Sequence, residues 1–154
     1  MLLSERKLVV GLGNILLKDE GVGVRCVELL RSRNLNQDVK IVDGATMGFD
    51  LLEEMRGFDR VVLVDAVDMG KEPGYIASFG AEELLKVAGG KKFSLHEFNL
   101  VDVIQLGKKL GYPMDKVRIV GIQPAEVGWG SRLSKIIEEK LPELAGRVLR
   151  EISD

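Results

Sequence analysis

A chain of 154 residues with 22 basic and 24 acidic side chains, net charge −2, is long enough to bury a sizeable core and too evenly charged to present a broad electrostatic face to nucleic acid. Its one cysteine, Cys26, excludes an internal disulfide and a thiolate zinc cluster and suits a reducing compartment. No apolar run reaches bilayer-spanning length and residues 1–7 lack a signal-peptide core, so the expectation is one cytoplasmic domain, 1–154, with no membrane or nucleic-acid partner.

In chain order, Lys7 to Val10 is a short β-branched run, followed by the turn Gly11-Leu12-Gly13-Asn14 and then Asp19-Glu20-Gly21-Val22-Gly23. Val22, Cys26, Leu29 and Leu30 fall at helical spacing and predict the first helix. Val39 to Val42 predicts a second strand, Phe49, Leu52 and Met55 a second helix, and Arg60 to Val64 a third strand. Tyr75 to Phe79 follows too closely for a helical crossover and reads as an antiparallel edge strand. Glu82 to Val87 predicts a short helix stopped at Gly89-Gly90; Ser94-Leu95-His96-Glu97 matches a capping box ahead of a helix carrying Leu100, Val103, Ile104 and Leu110. Val117 to Ile122 is a further strand, and from Ser131 an amphipathic stretch follows in which Pro142 is expected to impose a kink or start a second helix.

Near-continuous apolar strands suggest burial on both faces, as in a parallel sheet covered by helices. The expected fold is α/β: a doubly wound domain with a mostly parallel sheet of about five strands, one antiparallel edge strand and helices on both faces.

Such sheets place ligands beyond the carboxyl ends of their strands. Those ends carry Asp19 and Glu20, Asp43 with Thr46, Asp65 with Asp68, and Gln123 with Glu126. The first turn begins like a phosphate-binding fingerprint, yet Asp19 and Glu20 put negative charge where a phosphate would sit, so the turn favours a cation. His96, the only histidine, falls in a predicted first helical turn, where the helix dipole favours the neutral, metal-binding imidazole. One histidine with carboxylates suits a borderline divalent ion such as zinc or nickel better than calcium or magnesium. Glu20, Asp65 and His96 form the working site.

Each member also has a structural reading. Acids near a helix start are stabilised by the dipole, a carboxylate at a strand end can cap a turn, and a first-turn histidine can simply be solvated. Asp43 can organise its turn and Thr46 can cap the following helix. Cys26 lies on the apolar helix face and reads as a core residue. No second histidine follows His96-Glu97 at zincin spacing, and neither a nucleophile elbow nor a Walker A loop is present.

The chain resembles the maturation endopeptidases of nickel-iron hydrogenases. The resemblance rests on Gly11-Leu12-Gly13-Asn14 with Leu16, Asp19, Glu20 and Gly23; Asp43-Gly44-Ala45-Thr46-Met47-Gly48; Val64-Asp65-Ala66; His96; and Gly121 with Pro124, in order along nearly the whole chain. It implies a peptidase that removes a C-terminal extension from the hydrogenase large-subunit precursor after nickel insertion. It further implies that Glu20, Asp65 and His96 contact a divalent metal, nickel above all, which is either resident or supplied by the substrate. Asp19 and Asp43 are supporting candidates, as orienting groups or as a base. The family's second motif usually reads Asp-Gly-Gly-Thr; Ala45 departs from it, and is strained if that position needs a positive φ. Two other readings remain: a non-catalytic metal-sensing or chaperone-like module using the same triad, and a nucleotide-binding α/β protein.

Overall fold

A computed structural model describes residues 5–33, 38–45, 47–88 and 100–153. Five strands, β1 (Lys7–Leu12), β2 (Val39–Ala45), β3 (Arg60–Ala66), β4 (Ile76–Gly80) and β5 (Val117–Ile122), form one sheet in the order β2-β1-β3-β5-β4. The pairs β1–β2, β1–β3 and β3–β5 are parallel, and β4 runs antiparallel to β5 at the edge, as the short connection from β3 requires. The expected α/β architecture is observed.

Side chains alternate across the inner strands. Leu8, Val10, Val61, Leu63 and Ile119 face one core, whereas Val9, Val62, Val64, Val120 and Ile122 face the other. The first core is covered by α2 (Asp50–Met55), α3 (Ala81–Ala88) and α4 (Leu100–Lys109). The second is covered by α1 (Val22–Arg31) and α5 (Lys135–Ser153), through Val22, Cys26, Val27 and Leu30 and through Ile137, Leu144, Val148 and Ile152. This two-sided burial is why the inner strands read as continuous apolar runs rather than alternating ones.

Two expectations need correction. β2 is not buried on both faces: it forms the other edge of the sheet, with Val39, Ile41 and Val42 only partly covered and Lys40 exposed. Of the two outcomes expected at Pro142, a kink or a second helix, the second does not occur: α5 runs through it from Lys135 to Ser153. A proline inside a helix costs about 3 kcal/mol, while the buried side chains Ile137, Leu144, Val148 and Ile152 each contribute about 1.5–3 kcal/mol. Packing wins. No described helix is long and apolar enough to cross a membrane. Thr46, Gly89-Gly90 and the capping-box segment with His96 lie outside the described residues.

Candidate active site

The turn after β1 is shaped by two glycines. Gly23, in the first turn of α1, lies so close to β1 and β3 that a Cβ there would stand 2.3 Å from the carbonyl oxygens of both Leu12 and Val64. Gly13 has φ +123°, and a Cβ on it would meet the Glu20 carbonyl oxygen at 1.8 Å. The helix start is thereby drawn onto the ends of the two central strands, and Glu20 is held in a 3-10 turn, Asp19–Gly21, that packs against β3.

This geometry argues against the phosphate-binding reading. A phosphate cradle needs free backbone N–H groups. Here the N–H groups of Leu17, Glu20 and Gly21 donate to carbonyls within the turn, those of Lys18 and Asp19 to Gly130 and Glu126, and that of Leu16 to the Asn14 side chain. No backbone N–H from Leu16 to Gly21 is left for an anion.

Glu20 and Asp65 are both buried, on the 3-10 turn and at the end of β3 respectively. Burial holds the Asp65 carboxyl well above the usual carboxylate range, and the nearby Glu20 carboxylate pushes it further up; the Ala66 N–H, 2.9 Å from Asp65 Oδ1, acts in the opposite direction. Two buried carboxylates that repel each other are relieved by sharing either a proton or a cation. The pair fits a divalent ion in its donor chemistry: hard, anionic oxygens from two different elements, withdrawn from water. Among the described residues no group of three histidine, cysteine, aspartate or glutamate side chains comes together. The third member of the working site, His96, lies outside them.

Asp19 is adjacent in sequence to Glu20 but occupied differently. Its carboxylate is fully buried and accepts four hydrogen bonds: from the N–H of Ala125 at 2.9 Å, of Glu126 at 2.7 Å and of Ser134 at 2.8 Å, and from the Ser134 hydroxyl at 2.8 Å. With its acceptor capacity filled, Asp19 anchors the segment between β5 and α5 to the 3-10 turn. Lys18, immediately before it, has φ 52° and ψ −118°, a conformation unfavourable for a residue with a Cβ. The strained backbone and the buried anchor together fix where Glu20 begins.

Asp43 lies within the last residues of β2, is exposed, and accepts the Ala45 N–H at 2.9 Å, so it shapes the chain where the strand ends. Ala45 adopts φ 42°, the left-handed conformation, and its carbonyl accepts the Gly13 N–H at 2.7 Å. The strain expected of alanine at this position is present. α2 starts only at Asp50, with Phe49 preceding it, so the N-cap position expected of Thr46 falls elsewhere. Cys26 is buried on α1, and burial pushes its thiol up to about 12, as befits a core residue.

Sequence reasoning assigned no role to Gln123, Ser134 or Trp129. Gln123 Oε1 accepts the N–H groups of Met69 and Lys71 at 2.6 and 3.2 Å, and its amide donates to Asp68 Oδ1 at 3.2 Å, tying the β3–β4 connection to the end of β5. Its position at a strand end was the available signal. For Ser134 there was none, because its partner is 115 residues away.

A family model described as HycI, hydrogenase maturation protease, matches residues 24–151. The hydrogenase expression/formation protein HupD of Rhizobium leguminosarum bv. viciae is 37% identical over 152 residues, covering 96% of this chain and 75% of HupD. The hydrogenase 2 maturation protease of Escherichia coli K12 is 34% identical over 151 residues, covering 97% of this chain and 92% of its own. The solved structure of the hydrogenase maturating endopeptidase HybD from E. coli aligns with a TM-score of 0.83 at 34% identity, covering 94% of this chain and 90% of that one.

Proposed function

The chain belongs to the hydrogenase maturation proteases and is therefore a peptide hydrolase; from that premise we propose that it removes the C-terminal extension of a nickel-iron hydrogenase large-subunit precursor after nickel insertion. The observation that carries the proposal is the buried pair Glu20 and Asp65, whose mutual repulsion makes a cation the natural third party. His96 completes the donor set in this reading. Nickel enters as part of the substrate: a precursor that has received its metal satisfies the two carboxylates, and one that has not leaves them repelling each other.

A divalent ion held by Glu20 and Asp65 would supply Lewis acidity toward a carbonyl. Glu20 and Asp65 bind and orient the metal-bearing segment. Burial, and after it the nearby Glu20 carboxylate, favour the protonated form of Asp65 over the ionised one. Gly13, Lys18 and Asp19 hold Glu20 in place, and Asp43 shapes the neighbouring turn.

The test is incubation with candidate large-subunit precursors, loaded with nickel or free of it, with the product read by intact mass. Cleavage restricted to the nickel-loaded precursor, and lost in Glu20→Gln and in His96→Ala, is the expected result. Normal processing by either variant, or equal cleavage of the metal-free precursor, overturns the metal-reading mechanism.

A further inference from the structure

The segment that carries Glu20 also carries an apolar surface. Ile15 and Leu16 are 38% and 54% exposed on the turn after β1; Val127 and Trp129 are 46% and 82% exposed on the segment after β5. Backbone pairing joins the two segments: the Lys18 N–H donates to the Gly130 carbonyl and the Gly130 N–H to the Leu16 carbonyl, both at 2.9 Å, and Lys18 bridges to Val127. Asp19, accepting from Ala125, Glu126 and Ser134, locks the same junction from inside.

Trp129 stands exposed between two glycines. Gly128 and Gly130 on either side of it have φ +143° and +156°, conformations that residues with a Cβ rarely adopt. An indole left almost wholly in water, on a backbone that only glycines readily allow and that is pinned to the candidate active site, is the pattern of a binding anchor rather than of a packing residue. A hydrolase acting on a protein must also hold the body of its substrate, and Leu16, whose carbonyl accepts the Gly130 N–H, stands four residues before Glu20.

Resting on the function proposed above, we infer that Trp129 and Leu16 form a docking platform for the polypeptide substrate, receiving an apolar patch on the precursor beside its metal-bearing segment. The platform sets affinity, and Glu20 with its partners sets the chemical step.

Trp129 is the only tryptophan in the chain, so 5-fluorotryptophan labelling yields a single ¹⁹F resonance that reports on this site alone. In the Glu20→Gln background, addition of nickel-loaded precursor is expected to shift that resonance saturably. Trp129→Ala and Leu16→Ser are each expected to raise KM at least tenfold while kcat stays within twofold. An unshifted resonance at saturating precursor, or unchanged KM in a Trp129→Ala enzyme whose parent cleaves normally, overturns the platform and leaves the proposed function standing. A shift that depends on enzyme concentration without precursor identifies a second copy of the chain as the occupant and also overturns it. Failure of the parent enzyme to cleave or bind any precursor overturns the proposed function and the platform together.

Discussion

Asp19 and Ser134 meet across 115 residues, the serine donating both its N–H and its hydroxyl to the one carboxylate at 2.8 Å. Ser134 directly precedes α5, and its carbonyl in turn accepts the Glu138 N–H. One buried anion therefore fixes the start of the last helix, the segment bearing Trp129 and the turn bearing Glu20.

Removing that anion leaves buried donors unsatisfied. Asp19→Ala is expected to lower stability by about 3 kcal/mol, and Ser134→Ala, which deletes only the hydroxyl, by about 1 kcal/mol. Urea denaturation monitored by circular dichroism measures both. A Ser134→Ala loss equal to that of Asp19→Ala would contradict the central place of the carboxylate.

Ala45 occupies a left-handed conformation at φ 42°. Left-handed backbone costs a residue with a Cβ roughly 1–2 kcal/mol, and glycine's extra freedom in the unfolded chain returns roughly 0.4–1 kcal/mol of that. Ala45→Gly should therefore stabilise by about 0.5 kcal/mol and raise Tm by about 1–2 °C. Calorimetry showing a lowered Tm would mean that the strain is relieved elsewhere.

Asp65 has its folded-state pKa raised, first by burial and then by Glu20. The stabilising contribution is complete below the unfolded pKa of about 3.9 and is lost as pH rises through the folded value, because the unfolded chain ionises freely while the native one resists. Asp65→Asn should thus stabilise the metal-free protein at neutral pH, by about 0.5–2 kcal/mol, with the advantage shrinking toward pH 4, while abolishing precursor cleavage. Denaturation series across this pH range, with and without Ni²⁺, measure the effect. An advantage that grows on acidification would reverse the assignment.

Cys26 carries the same sign at the other end of the scale. Its thiol titrates at about 12 in the folded protein against about 8.5 unfolded, so the stability it contributes below the unfolded value is lost as pH rises toward the folded one. The native thiol is expected to react with a disulfide reagent at pH 8 only as fast as the protein unfolds, and rapidly in denaturant. Fast labelling of the native state would place Cys26 outside the core.

The parallel strands, the antiparallel edge and the alternation of strand with helix were legible because each leaves a local mark. β3 is apolar from Val61 to Val64 because both faces of the sheet are covered, and Ile76–Gly80 follows β3 too closely for a crossover. Glu20 and Asp65 were legible as strand-end carboxylates at the C-terminal rim of the sheet. Ala45 was legible only through the resemblance, whose usual motif has glycine there, and its φ of 42° is the strain that departure implied.

Three other matters were decided only by tertiary structure. β2 is an edge because of its place in the strand order, and α5 continues through Pro142 because the face beyond it is buried. Asp19 and Glu20, neighbours of the same charge, have different surroundings because Asp19 meets donors from Ala125, Glu126 and Ser134 whereas Glu20 faces Asp65. The sequence by itself determined that two carboxylates stand at the end of the first strand. Which of them became an anchor depends on backbone donors more than a hundred residues away, and no local pattern records such partners, because hydrogen bonds form between places in space rather than positions along the chain.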